Sequence, residues 1–195
     1  PFTFIATAET VGRCGAIPVF ADIDAKTYNI EAAKIAAKIN KKTKAILPVH
    51  LYGQAADMDT ILRLARKYNL KVIEDCAQSF GAEYEGEKVG ALGDAGCLSF
   101  FPSKVLGTYG DGGMVVTNNI GVAEQVEMLR NHGCKDKYYY LVHGFNSRLD
   151  SLQAAVLRVK LKYVNTWIKQ RQQKAELYAK LLGKVKGIEV PYISR

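Results

Sequence analysis

A lysine that follows a proline and precedes a glycine-rich segment is the first candidate for chemistry in this sequence. Residues 99–104 read SFFPSK, and residues 105–113 read VLGTYGDGG. A lysine amine that acts as a nucleophile at neutral pH needs a pKa below its free value of about 10.4, which a cationic or apolar neighbourhood in a rigid loop provides. Pro102 and the glycines could form such a loop around Lys104; an ordinary exposed lysine is the alternative.

An aspartate at the end of an apolar run is the second candidate. Residues 74–78 read EDCAQ, which places Asp75 where a strand would end. A carboxylate at that position can hold a protonated heterocyclic nitrogen, because two unit charges about 4 Å apart attract each other by roughly 4 kcal/mol at an effective dielectric constant of 20. A helix-capping or salt-bridged aspartate is the alternative.

A strand–helix–strand pattern would position this aspartate. Residues 45–49 and 71–74 are short apolar runs of the kind found in parallel strands that are covered on both faces. Between them, Asp57 can cap a helix over residues 58–68. These elements predict a right-handed βαβ unit and a parallel sheet, whose ligand crevice lies at the carboxyl ends of the strands, where Asp75 stands.

The remaining pattern predicts further short elements and a long helical region. We expect a strand or buried turn over residues 1–10, a helix over residues 31–39, strands over residues 96–100 and 114–117, and one or two amphipathic helices over residues 151–182.

Composition limits the class of protein. The 195 residues are 48% hydrophobic and 24% charged, which excludes a disordered, collagen-like or disulfide-stapled chain and indicates one ordinary domain. The net charge of +8 allows a nucleic acid, an anionic membrane or a polyanionic small substrate. No zinc-finger or arginine-rich pattern and no apolar run of about 20 residues occurs, so we expect neither a nucleic-acid nor a membrane partner. Four isolated cysteines without a CxxC pair indicate no metal site and fit a reducing cytoplasm.

Seven segments, in this order along residues 1–182, resemble the DegT/StrS family of pyridoxal-phosphate-dependent nucleotide-sugar aminotransferases. They read FTFIATAE, PVFADID, AILPVHLYGQAADMD, VIEDCAQSFGA, GDAGCLSFFPSK, GTYGDGGMVVTN and GFNSRLDSLQAA. The resemblance implies an α/β chain with the aspartate-aminotransferase fold, in which a mainly parallel sheet is flanked by helices, truncated at both ends. It also implies that residues 1–160 form the large cofactor-binding domain, incomplete at its N-terminus, and that residues 161–195 form a long helix leading towards a missing C-terminal small domain.

The resemblance also implies roles for individual residues. Lys104 matches the lysine that bonds to pyridoxal 5'-phosphate and later moves a proton, and Asp75 matches the acid that keeps the pyridine nitrogen protonated. Five more residues match positions that contact the cofactor: Ala77 and Phe4 on the two ring faces, Gln78 beside the ring hydroxyl, Ser99 at the phosphate, and Asn146 at the phosphate of a neighbouring subunit.

Two residues are candidates for binding the substrate. Tyr109 in the glycine-rich segment could contact the sugar, and a packed tyrosine is the alternative. Arg148 could hold an anionic group of the substrate, and a salt-bridged surface arginine is the alternative. We interpret His50 as a core residue rather than as part of a pocket.

The function implied by the resemblance is transfer of an amino group, from glutamate, to a keto group of a nucleotide-linked sugar. Within the family, SFFPSK and NSRLD-x-LQAA are similar to enzymes that aminate position 3 of a keto sugar. The resemblance also implies a cytoplasmic homodimer with shared active sites. A Ser-Gly-Thr-Ala type motif that cradles the cofactor phosphate has no match before Pro1, so we expect a fragment; a non-catalytic cofactor-binding or regulatory module is the alternative.

Overall fold

The computed structural model describes residues 2–193, which contain six α-helices, one short 3₁₀ turn and eight strands. The helices are α1 (Ile5–Arg13), α2 (Ala32–Ala36), α3 (Met58–Tyr68), α4 (Ile120–Leu129), α5 (Ser151–Leu161) and α6 (Val164–Leu182), and the 3₁₀ turn is Leu51–Gly53. The strands are β1 (Ala45–Ile46), β2 (Lys71–Asp75), β3 (Glu83–Tyr84), β4 (Glu87–Lys88), β5 (Ala95–Ser99), β6 (Gly113–Val116), β7 (Cys134–Asp136) and β8 (Tyr139–Tyr140).

A four-stranded sheet organises the chain, with the strands in the order β1-β2-β5-β6. β2 runs parallel to β1 and to β5, and β6 is antiparallel to β5. The predicted strand over residues 45–49 is shorter than expected, because β1 covers two residues and Val49 adds only an isolated bridge to Asp75. β1, β2 and β5 end at one edge of this mainly parallel sheet, which we call the carboxyl edge.

Helix α3 connects β1 to β2, as the sequence predicts. The Asp57 side chain caps it by accepting the N–H of Thr60 at 3.1 Å, and Asn69 ends it in a left-handed conformation with φ of 51°. Its buried face carries Met58, Ile61 and Ala65. This face joins Ile35, Ile46, Leu70 and Val72 in the larger hydrophobic core.

The predicted helical region over residues 151–182 forms two helices, α5 and α6. Leu157 of α5 and Val164 of α6 pack with Phe100 and Leu106, which belong to the segment after β5. This second core therefore ties the C-terminal helices to the loop that follows β5. Within residues 2–193, none of the helices combines the length and apolar character that crossing a membrane requires.

One prediction about secondary structure is wrong, one is only partly correct, and one helix was not predicted. Residues 5–13 form helix α1 instead of a strand or buried turn, because Ala6, Ala8 and Glu9 favour a helix and no residue of α1 is buried. Pro1, the first residue of that prediction, lies outside the described residues. The helix expected over residues 31–39 is only Ala32–Ala36. Helix α4, capped by Asn119, was not predicted.

Candidate active site

Asp75 ends β2 at the carboxyl edge with its carboxylate fixed by two hydrogen bonds. The Thr7 hydroxyl donates to Oδ2 at 2.7 Å, and the Ala77 N–H donates to Oδ1 at 3.0 Å. Asp75 caps no helix, and none of the ion pairs within residues 2–193 includes it. Both structural alternatives considered for this aspartate are therefore wrong, and neutral donors set its orientation.

Glu74, the residue before, is fully buried and accepts four hydrogen bonds. Its Oε2 accepts the N–H of Gly90 at 2.7 Å and bonds to His50 Nε2 at 2.9 Å. Its Oε1 accepts the N–H groups of Leu92 at 2.9 Å and Gly93 at 2.7 Å. Burial acts to raise the pKa of Glu74, but the bonds from His50 and the backbone outweigh burial and hold that pKa below its ordinary value. A buried carboxylate thus ties residues 90–93 to β2.

His50 lies in the core, with no exposed surface, as interpreted from the sequence. Its Nδ1 accepts the N–H of Ala56 at 3.0 Å, so Nε2 carries the hydrogen that is donated to Glu74. The backbone N–H of His50 donates to the carbonyl of Asp75 at 3.1 Å. The backbone N–H of Asp75 donates to the carbonyl of Pro48 at 2.8 Å, so the segment after β1 holds both backbone groups of Asp75.

Gln78 lies in the turn after β2 and is bound to the 3₁₀ turn. Its Oε1 accepts the N–H of Tyr52 at 2.9 Å. Tyr52 has a positive φ of 58°, a conformation that is uncommon for a bulky residue. The bond to Gln78 satisfies the backbone donor of this unusual residue, and it fixes the carboxamide of Gln78, the residue after Ala77.

Lys104 follows β5 in a tight turn at the same edge. Ser99 is the last residue of β5, and its hydroxyl accepts the N–H of Phe101 at 3.3 Å. The N–H of Lys104 donates to the carbonyl of Phe101 at 2.9 Å, and the Lys104 side chain is half-buried. The exposed-lysine alternative is wrong. Because β2 and β5 are parallel neighbours, Asp75, Ser99 and the loop of Lys104 lie at one edge of the sheet.

The glycine-rich loop, residues 107–113, packs closely on the turn that carries Lys104. A Cβ at Gly107 would lie 2.7 Å from the carbonyl oxygens of both Phe101 and Pro102, so this position needs glycine. The fully buried Thr108 hydroxyl bonds to the carbonyl of Phe100 at 2.7 Å and also contacts that of Gly110. Rigid packing of the loop, predicted from its glycines, is present.

The other predicted site residues are exposed. Phe4 precedes α1, the helix whose Thr7 bonds to Asp75, and 70% of its surface is exposed. Tyr109 is 78% exposed, so the packed-tyrosine alternative is wrong. Asn146 pairs with Asn131, just after α4. Arg148 is exposed, and none of the ion pairs among residues 2–193 involves it, which rules out the salt-bridged alternative there.

Thr7 was not predicted from the sequence, although it lies three residues after Phe4 and therefore on the same side of a helix. A helical interpretation of residues 5–13 would have pointed to it. The strand interpretation could not, since strand spacing puts residues 4 and 7 on opposite faces.

A buried cluster of possible metal ligands lies behind the site. Ligand atoms of His50, Glu74 and Cys76 lie within 4.8 Å of one another. Both His50 nitrogens are already hydrogen-bonded, and burial, followed by the charge of Glu74, raises the pKa of the Cys76 thiol to about 12. A protonated thiol is a poor metal ligand. The cluster therefore acts in packing and hydrogen bonding rather than as a metal centre.

Known proteins resemble this chain in sequence. The sequence profile of the DegT/DnrJ/EryC1/StrS aminotransferase family matches residues 1–194. The chain is 53% identical over 186 residues to a pleiotropic regulatory protein of Geobacillus stearothermophilus (95% of this chain, 50% of that protein). It is 51% identical over 181 residues to the UDP-N-acetyl-3-dehydro-alpha-D-glucosamine 3-aminotransferase of Acidithiobacillus ferrooxidans (93% and 49%). It is 49% identical over 192 residues to the UDP-2-acetamido-2-deoxy-3-oxo-D-glucuronate aminotransferase of Pseudomonas aeruginosa (98% and 53%).

Solved structures of aminotransferases share the fold. DesV of S. venezuelae, in complex with a ketimine intermediate, superimposes with a TM-score of 0.96 at 41% identity, over 99% of this chain and 52% of that one. NtdA of Bacillus subtilis, with bound PMP, gives a TM-score of 0.89 at 36% identity, over 98% and 45%. The α/β fold class predicted from the sequence is confirmed. The chain spans about half the length of the curated relatives it matches.

Proposed function

The chain belongs to the DegT/DnrJ/EryC1/StrS aminotransferase family, and on this premise we propose that its protein transfers an amino group, through pyridoxal phosphate, to a keto group of a nucleotide-linked sugar. One observation carries the proposal. Asp75 and the loop of Lys104 stand at the carboxyl ends of two adjacent parallel strands, in a chain that matches an aminotransferase family along its length.

The side chains at the carboxyl edge fit pyridoxal phosphate, on which this family depends. The Asp75 carboxylate is oriented by neutral donors, so its charge is available to a protonated pyridine nitrogen. The half-buried amine of Lys104 can condense with an aldehyde. When bound, the cofactor supplies an electron sink for the carbon that loses a proton.

In this proposal, Lys104 and Asp75 are the residues of the chain that take part directly in the reaction. The Lys104 amine would hold the cofactor aldehyde and, when free, would carry a proton between carbon atoms. Asp75 would hold the proton at the ring nitrogen. The Thr7 hydroxyl and the Ala77 N–H keep the Asp75 oxygens in place while the charge on the ring changes.

The remaining contacts follow the assignments made from the sequence. Residues 1–160 form the cofactor-binding domain, residues 161–195 lead towards a second domain, and a homodimer shares its two sites. The cofactor contacts are Ala77 and Phe4 at the ring faces, Gln78 at the ring hydroxyl, Ser99 at the phosphate and Asn146 at the partner's phosphate. The substrate contacts are Tyr109 and Arg148.

The proposed substrates are glutamate and a nucleotide sugar, and the proposed compartment is the cytoplasm. Two similar proteins are named as aminotransferases of UDP-linked 3-oxo sugars. A net charge of +8 favours a nucleoside diphosphate, since the surrounding field attracts polyanions. All four cysteines are free thiols, which a reducing compartment maintains.

A non-catalytic, regulatory module is the second candidate function. Two similar proteins carry regulatory names: the pleiotropic regulatory protein of Geobacillus stearothermophilus and the erythromycin biosynthesis sensory transduction protein EryC1 of Saccharopolyspora erythraea, at 53% and 46% identity. Such a module would retain the cofactor without turnover. Lys104 and Asp75 together favour the catalytic proposal.

Covalent trapping tests the proposal in the full-length protein. The protein with pyridoxal phosphate is reduced with borohydride, digested, and searched by mass spectrometry for the pyridoxyl group. We expect the group on Lys104, and loss of both the label and the visible absorbance in Lys104→Arg, which keeps the charge. Lys174→Arg, on the exposed surface of α6, is the matched control and should label as the unchanged protein does.

Amination separates the two candidate functions. With glutamate and a UDP-linked 3-keto-2-acetamido sugar, the unchanged protein should form the 3-amino sugar. A labelled Lys104 without turnover of UDP-linked or dTDP-linked keto sugars would support the regulatory module. Unchanged visible absorbance in Lys104→Arg would overturn the role of Lys104 altogether.

A further inference from the structure

Two side chains of α5, Gln153 and Lys160, hold the glycine-rich loop. The Gln153 Oε1 accepts the N–H of Tyr109 at 2.9 Å. The Lys160 Nζ donates to the carbonyl of Gly107 at 2.6 Å and lies 4.5 Å from the centre of the Tyr109 ring. The loop is therefore bound at its first and third residues by one helix.

The two side chains lie on the same face of α5. Gln153 and Lys160 are seven residues apart, which is close to two helical turns. Leu157 lies between them and is buried against Phe100 and Leu106. Because Leu157 anchors this face of the helix, its two polar neighbours are carried to fixed places beside the loop.

Contacts from α5 fix the glycine-rich loop, but the Tyr109 ring in it remains exposed to solvent. Tyr109 has its amide bonded and one ring face near an ammonium, yet 78% of its surface is exposed. Fixing a lysine side chain costs rotamer entropy, and an exposed ring returns little of this by burial. An aromatic ring of fixed direction, in a loop packed on the turn that carries Lys104, is instead suited to contact a ligand.

We propose that Gln153 and Lys160 are positioning residues for substrate binding: they fix the glycine-rich loop so that the Tyr109 ring faces the sugar nucleotide. This inference rests on the proposed function. The ammonium of Lys160 acts through a hydrogen bond and a cation–π contact, and neither residue touches the reacting atoms in this role. The conformation of the glycine-rich loop depends on Gln153 and Lys160, and the binding of the cofactor does not.

Hydrogen exchange tests the holding of the loop without any need for activity. In the full-length protein, Gln153→Met removes the acceptor at similar length, and Gln153→Glu keeps it. We expect the Tyr109 amide to exchange about three- to tenfold faster in Gln153→Met, the effect of losing one hydrogen bond. Gln153→Glu should protect that amide as the unchanged protein does. Equal exchange in all three proteins would overturn the proposal.

Kinetics test the link to substrate. Lys160→Met should raise KM for a UDP-linked 3-keto-2-acetamido sugar about tenfold, with little change in kcat or in the visible spectrum of bound pyridoxal phosphate. Lys160→Arg should restore KM, and Lys169→Met, on exposed α6, is the control. In a Tyr109→Ala background, Lys160→Met should add nothing, because the residue it positions is gone.

The results separate this inference from the proposed function. A lowered kcat with unchanged KM, or an additive effect of Lys160→Met and Tyr109→Ala, would overturn the positioning role. Failure of borohydride to label Lys104 would overturn the proposed function, and the exchange of the Tyr109 amide would still decide whether Gln153 holds the loop.

Discussion

The two halves of the candidate site are held by different physical means. The acid side comprises Asp75, Glu74 and the groups bonded to them, and its centre is a fully buried carboxylate that accepts four hydrogen bonds. The lysine side comprises residues 99–113, in which backbone packs against backbone at Gly107 and the Thr108 hydroxyl is buried. The acid side is stabilised by hydrogen bonds to a buried charge. The lysine side is stabilised by close backbone packing that leaves no room for a side chain at Gly107.

This difference predicts which kind of substitution destabilises each side. On the acid side, removing an acceptor leaves buried donors without partners, which is costly even when the shape is preserved. On the lysine side, adding a single carbon forces backbone segments apart, whatever its polarity. Three substitutions separate these effects.

Replacing the buried carboxylate should have the largest effect. Glu74→Leu leaves three backbone N–H groups and the His50 ring without an acceptor, so we expect the free energy of unfolding to fall by about 3–5 kcal/mol. Urea unfolding of the full-length protein measures this change in the free energy of unfolding. Glu127→Leu, at an exposed position on α4, is the control and should change stability by less than about 0.5 kcal/mol. Similar losses in both variants would show that the buried hydrogen bonds of Glu74 do not stabilise the acid side.

Adding one carbon to the lysine side should have an intermediate effect. Gly107→Ala places a Cβ 2.7 Å from two carbonyl oxygens, so we expect a loss of about 1–3 kcal/mol in urea unfolding. Gly12→Ala in α1 meets no atom within 4 Å and should instead gain up to about 1 kcal/mol from helix propensity. A tolerated alanine at residue 107 would show that the loop is not closely packed.

Removing one hydroxyl at the acid side should have the smallest effect. Thr7→Val keeps the side-chain shape and deletes the donor to Asp75 Oδ2, so we expect pyridoxal phosphate to bind about three- to tenfold more weakly. Stability should change by less than about 0.5 kcal/mol, because α1 has no buried residue. Absorbance titration measures the affinity. Thr7→Ser should restore it, and equal affinity of the valine and serine variants would show that this bond does not orient the acid.

Much of the scaffold could be predicted because its signals are local. Asp57 and Asn69 mark the two ends of α3, and the apolar residues between them mark its buried face. The strand end at Asp75 and the loop at Lys104 followed from the same short patterns. The family resemblance, and not these local signals, implied that the two candidate catalytic residues share one site.

The contacts that orient the site could not be predicted, because they join distant parts of the chain. Thr7 lies 68 residues from Asp75, Gln153 lies 44 from Tyr109, and Lys160 lies 53 from Gly107. No periodicity encodes such pairs. Helix α1 was also missed, because the β-branched residues near its start resemble a strand, and no buried face exists to reveal a helical period.

The exposure of α1 has a consequence for the acid it supports. Within this chain no residue of α1 is buried, and helices with few buried contacts open at low free energy, so fraying of α1 would break the bond between Thr7 and Asp75. Any surface that covered α1 would slow that fraying and lengthen the time for which the carboxylate is aligned. An assembly that covered α1 could therefore affect the alignment of the Asp75 carboxylate without contacting Asp75.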